Sequence, residues 1–67
     1  MADYLSSTIH EFHLTVKIDD DKYKSILYTD GPEDFWISRR YHTREHIRDN
    51  DYTVFIEEWL AKKIGLI

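Results

Sequence analysis

The sequence contains no cysteine. Disulfides, thiolate metal centres and thiol nucleophiles are therefore excluded, and a small domain without disulfides fits a reducing compartment. Glycine and proline are nearly absent, at two and one in 67 residues. With only Gly31 and Gly65, far apart, there is no glycine-rich loop to cradle a phosphate. No apolar run approaches the ~20 residues that a membrane-spanning helix needs. The start, Met1-Ala2-Asp3-Tyr4, has neither the basic nor the apolar segment of a secretory signal. The expected setting is the cytoplasm, with no membrane contact.

Catalytic equipment is also missing. Ser6, Ser7, Ser25 and Ser38 stand in no nucleophile-elbow context. Glu57 and Glu58 are adjacent in a predicted helix and diverge. No nucleophile, base and oxyanion-binding group come together. The chain is expected not to be an enzyme and to need no cofactor.

What the sequence does have is apolar and aromatic material: 42% hydrophobic residues, with two Trp, five Tyr and three Phe. Each aromatic can bury about 150–250 Å², and such a composition argues against disorder. The length suits one domain, residues 1–67. A core of this size supplies roughly 3–5 kcal/mol of net stability. Little apolar material is left to shape a reaction chamber, so function is expected on the exterior.

Along the chain, Tyr4 and Leu5 are expected to anchor a short lead-in. Phe12, Leu14, Val16 and Ile18 then alternate with Glu11, His13, Thr15 and Lys17, the period-two pattern of a half-buried strand. Asp19-Asp20-Asp21 suits a turn, and Tyr23 to Thr29 is rich in the residues strands favour. The two segments predict an antiparallel β-hairpin. Asp30 and Glu33 have the spacing of a capping box, and Pro32 suits a first helical turn. A helix from near Pro32 is the preferred reading, with a third strand over residues 35–42 as the alternative. Asp49-Asn50-Asp51 is a second break. Beyond it Phe55, Ile56, Trp59, Leu60 and Ile64 predict the apolar face of a final helix. Glu58 and Lys62 form an i,i+4 pair on it, and Gly65 and Leu66 suit a Schellman ending. The fold class expected is α+β: an N-terminal antiparallel hairpin, extended by that third strand in the alternative reading, packed against one or two C-terminal helices.

Charge is unevenly placed. The formal total is −4, yet residues 1–34 sum to −5, residues 35–48 to +3 and residues 49–67 to −2. All four arginines, Arg39, Arg40, Arg44 and Arg48, lie in the middle segment. On a helix Arg40, Arg44 and Arg48 would line one stripe, with Arg39, Trp36 and Tyr41 beside them. Arginine with aromatics is the composition of interface hot spots and of phosphate contacts. The bland alternative is internal pairing with Asp34, Asp49 or Asp51.

Histidines offer a weaker lead. His42-Thr43-Arg44-Glu45-His46 matches H-x-x-E-H, a zinc-peptidase pattern. A catalytic zinc needs a third ligand and an open position, and the chain is too short for the cleft. Solvated surface histidines are the preferred reading, and no metal is expected. His10 and His13, three apart on a strand, point to opposite faces, His10 half-buried and His13 exposed.

In size and charge the chain resembles the compact acidic proteins with which phages and mobile elements block host machinery, a likeness of type that no motif carries. The function expected is a small acidic protein-binding module, an inhibitor or modulator that occludes a surface of a larger protein. The alternative is a nucleic-acid-binding regulator using the arginine stripe on phosphates. A homodimer is compatible with either.

Overall fold

A computed structural model describes residues 8–67, so the expected anchoring by Tyr4 and Leu5 lies outside the described residues. Five antiparallel strands and one helix make up the fold. They are β1 (Ile9–Ile18), β2 (Ser25–Thr29), β3 (Asp34–Ser38), β4 (His42–Arg48), β5 (Asp51–Glu57) and α1 (Glu58–Ile64). A single 3-10 turn, Arg39–Tyr41, joins β3 to β4. The sheet order is β3-β2-β1-β5-β4.

The hairpin of β1 and β2 forms as its alternation predicts, with Val16 opposite Tyr28. The remainder corrects the α+β expectation of a two- or three-stranded hairpin against one or two helices. Strand makes up 57% of the described residues, and among them there is one short helix. No helix starts at Pro32. Asp30 Oδ1 does accept the Glu33 N–H at 3.0 Å, as a capping residue would. That bond instead closes the turn between β2 and β3, where the Asp30 N–H also reaches the Glu33 carbonyl. Gly31 takes a φ of +116° there, a conformation that costs glycine little. Beyond the turn, Phe35 and Ile37 are buried while Trp36 is exposed, the strand period.

The last helix is shorter than expected. Tyr52, Val54 and Ile56 alternate inward along β5, so Phe55 and Ile56 belong to a strand. The helix begins only after Glu57, whose side chain makes no capping bond. Its end is as predicted. Gly65 has left-handed φ of +91° and its N–H reaches the Ala61 carbonyl. The Leu66 N–H bonds the same carbonyl at 2.8 Å, the long-loop bond of a Schellman ending. Leu66 itself packs against the core, and Glu58 pairs with Lys62 at 3.5 Å.

The sheet cannot be flat. β3 and β4 are its two edges, which a flat sheet would hold about 19 Å apart at ~4.8 Å per strand. Yet only residues 39–41 join them, and four Cα steps span at most about 14 Å. The sheet therefore curls on itself. Its concave side holds Leu14, Ile26, Tyr28, Phe35, Ile37, Val54 and Ile56, and α1 adds Leu60 and Ala61.

Two bulges reset the alternation. Between Val16 and Ile18 the register slips, so Ile18 pairs with Leu27 and turns outward, away from the face its sequence position suggested. Between His46 and Arg48 a second slip leaves Ile47 unpaired and places Arg48 opposite Asp51.

Leu60, 7% exposed, is the main helix residue in the core. Leu60→Ala is expected to cost about 2–4 kcal/mol, most of the margin available to a chain of this size. Urea denaturation followed by circular dichroism reads the loss.

Candidate functional site

The arginines do not form a stripe. Residues directly opposite in an antiparallel pair share a face. Arg44 lies opposite Val54 on the concave face, whereas Arg48 lies opposite Asp51 on the convex one. The helical spacing of four therefore corrects to opposite sides of one strand. The 3-10 turn holds Arg39 and Arg40, and Trp36 sits on β3.

Arg39 and Arg44 converge on one carboxylate. Asp19 Oδ1 accepts from Arg39 at 2.8 Å and Asp19 Oδ2 from Arg44 at 2.9 Å. The expected internal acids were Asp34, Asp49 and Asp51; Asp34 instead bonds Lys17 at 2.8 Å, and Asp51 accepts from Thr15. Arg39 further donates to the carbonyls of Tyr23 and Asp20. Arg44 lies 4.2 Å from the centre of the Tyr52 ring. Both arginines thus fasten the protein to itself. The guanidinium of Arg44, and then that of Arg39, holds the Asp19 carboxyl below the usual aspartate range.

A directed hydrogen-bond chain runs inward from this cluster. Arg44 donates to the Tyr28 hydroxyl at 3.3 Å, and Tyr28 Oη lies 2.8 Å from His42 Nε2. His42 Nδ1 lies 2.7 Å from the Ser38 carbonyl. That carbonyl can only accept, so Nδ1 carries the proton and Nε2 of the neutral ring accepts from Tyr28. Burial holds His42 below its ordinary pKa, and the charges of Arg44 and Arg39 add to this. Burial pushes the Tyr28 hydroxyl up.

In the His42-x-x-Glu45-His46 string the histidines are engaged by the fold itself. Both His42 ring nitrogens are engaged within the fold, and His46 Nε2 contacts the Asp49 carbonyl at 2.9 Å. Among the described residues no three His, Asp or Glu side chains are placed to hold an ion. His10 is half-buried against Glu58 at 3.0 Å, and His13 is exposed.

The remaining candidates face outward in three places. Arg40 lies over the Tyr41 ring, 5.9 Å from its centre. Tyr41 packs edge-on against Trp59 at 6.0 Å. Together with Ile9, His42, Thr43, Phe55 and Glu57, Arg40 and Tyr41 line an open groove of about 530 Å³. Ile9 is 56% exposed, Tyr41 50% and Trp59 43%. The Trp59 indole N–H donates to Glu57 at 2.7 Å, which fixes the ring at the rim. Trp36 is elsewhere, edge-on to Tyr23 at 5.5 Å. Arg48 borders a second depression of about 270 Å³ with His13, Thr15 and Ile47.

Sequence reasoning misses Ile9, Phe55 and Trp59 at this groove, because helical spacing places Phe55 and Trp59 on a buried face; in the structure Phe55 is half-buried and Trp59 exposed. The signal that would have found them is the strand-like composition of Asp51-Tyr52-Thr53-Val54-Phe55-Ile56. No helix among the described residues is long and apolar enough to cross a membrane. Comparison with family models, curated proteins and solved structures finds no match.

Protonating His42 places a second donor at Nε2, opposite a hydroxyl that already donates there. The folded-state pKa is depressed, so the unfolded chain binds this proton first. Stability is therefore complete above the ordinary histidine pKa of about 6.5 and falls as pH drops below it. A urea midpoint that declines from pH 7 to pH 5, and declines less in His42→Gln, is the expected result. Asp19 contributes on the acid side, where stability held above about pH 3.9 is lost as pH falls through its lowered pKa. Tyr28→Phe leaves His42 Nε2 without its donor and is expected to cost roughly 1–3 kcal/mol by the same measurement.

Proposed function

We propose that the protein is a small binding module that acts by covering a surface of a larger protein, using the groove around Arg40 and Tyr41. The observation that carries this reading is the set of large apolar side chains, Ile9, Tyr41 and Trp59, left half exposed around a cationic residue. Leaving such a patch in water is unfavourable for a monomer, and patches of this kind mark contact sites. Trp, Tyr and Arg are the residues that dominate interface energies. The groove is open, and two of its titratable lining groups are engaged within the fold, Glu57 by Trp59 and His42 by Tyr28 and Ser38, which favours occlusion over catalysis.

Against the nucleic-acid alternative stands the fate of the arginines. Arg39 and Arg44 are engaged with Asp19, so Arg40 and Arg48 remain for phosphates. They lie at different places on a chain of formal charge −4, and phosphate binding draws its affinity from clustered cations. The cytoplasm is the proposed setting, supported by the lack of cysteine.

The test is affinity capture from the native host lysate, followed by titration of the recovered partner. Tyr41→Ala and Arg40→Glu are each expected to weaken binding about 30-fold or more, the hot-spot range, while Arg48→Glu changes it little. Unchanged affinity in both groove variants would refute the reading. Capture of nucleic acid with a steep log–log salt dependence would establish the alternative.

A further inference from the structure

Two anchors hold the 3-10 turn, and one of them can take up a proton. None of Arg39, Arg40 and Tyr41 is buried, so the core does not fix the turn. At its start Arg39 does. Its N–H donates to the Lys24 carbonyl at 3.0 Å, and its guanidinium takes the carbonyls of Tyr23 and Asp20 and the Asp19 carboxylate. At its end the anchor is His42, whose Nδ1–H reaches back across the turn to the Ser38 carbonyl. Between the two stand Arg40 and Tyr41, a wall of the groove, which His42 and Thr43 continue.

The site suits only the neutral ring. Nε2 accepts from the Tyr28 hydroxyl, which itself receives Arg44. A proton on Nε2 aims a second donor at that hydroxyl, which must then turn its own O–H away. No neighbouring charge compensates. Tyr28 of β2 is neutral, and Arg44 of β4 and Arg39 of the turn are cationic. From β3 the ring meets the Ser38 carbonyl, and β5 sets Ile56 directly opposite. Beyond Ile56 on the same face, His10 of β1 is engaged with Glu58 of α1. Asp19 is taken by the two arginines.

We propose that His42 is a proton-operated hinge of the groove: protonating its ring undoes the clasp on Ser38 and frees Arg40 and Tyr41 from the position that shapes the wall. The imidazolium gains water by swinging out of its half-buried site, and Nδ1 leaves the Ser38 carbonyl with it. Arg39 keeps the start of the turn fastened, so the change is local. Burial depresses the pKa of the ring, which places the transition below the ordinary value of about 6.5. The consequence for binding rests on the groove reading: a partner that needs the closed wall binds about tenfold more weakly for each pH unit below the transition.

NMR titration of the full chain from pH 7 downward, with no partner present, is the test. The Tyr41 ring and the Arg40 and Tyr41 amides are expected to shift in one step whose midpoint equals that of the His42 ring, while the amides of β1 and β2 stay in place. The step should vanish in His42→Gln. It should persist in His10→Gln and Glu57→Gln, which remove two other titratable groups beside the groove. If His42→Gln does not fold, the coincidence of midpoints in the wild type still decides. A Tyr41 ring that stays still while His42 titrates overturns the hinge. So does a step that follows His10 or Glu57, or one in which all five strands lose their signals together. Because the readout needs no partner, groove variants that leave capture unchanged refute the groove reading without moving this titration.

Discussion

Closure of the curled sheet depends on Asp19. A chain of three residues brings the two edge strands together at one corner, but nothing in that link dictates how the edges face each other. One carboxylate, at the end of β1, takes a guanidinium from the 3-10 turn and another from β4. Ion pairs that are partly exposed contribute about 0–1 kcal/mol each, whereas each large core side chain contributes about 1.5–3 kcal/mol by burial. Stability therefore resides in Tyr28, Ile37, Val54, Ile56 and their neighbours. The Asp19 cluster supplies geometry, tying the 3-10 turn and β4 to the end of β1.

That division of labour explains what was legible. β1 and β2 announce themselves because one face is dry and the other wet. The Schellman ending of α1 is equally plain, since only a few residues tolerate a left-handed backbone. β4 is hidden, because both of its faces are polar: His42 and Arg44 turn inward to a hydrogen-bond chain, and Thr43 and Glu45 turn to water. Period two cannot be seen when the buried partners are themselves polar. The Asp30–Glu33 bond was anticipated correctly as chemistry and assigned to the wrong element, since the same side-chain bond can start a helix or close a hairpin.

The candidate site was half readable. Arginine with aromatics pointed to residues 36–48, and within them Arg40 and Tyr41 share a surface. The segment could not reveal that Arg39 and Arg44 are engaged by an aspartate twenty or more positions away. Long-range pairing of this kind is the part of a sheet protein that local pattern carries least. Once those two cations are subtracted, the exterior is distinguished by its rings, and under the proposed function recognition would rest on shape and apolar contact more than on field.

The bulge beside Lys17 has a consequence for how this chain tolerates change in length. A strand has parity: odd and even positions belong to opposite sides, and one surplus residue inverts the assignment for everything after it. Here that inversion delivers Ile18 to the exterior and aims the following aspartate at its two arginines. Removal of a single residue between Val16 and Ile18 would leave composition almost untouched, yet would exchange inside for outside at the strand's end. The integrity of closure is thus tied to a count of residues as much as to their kinds.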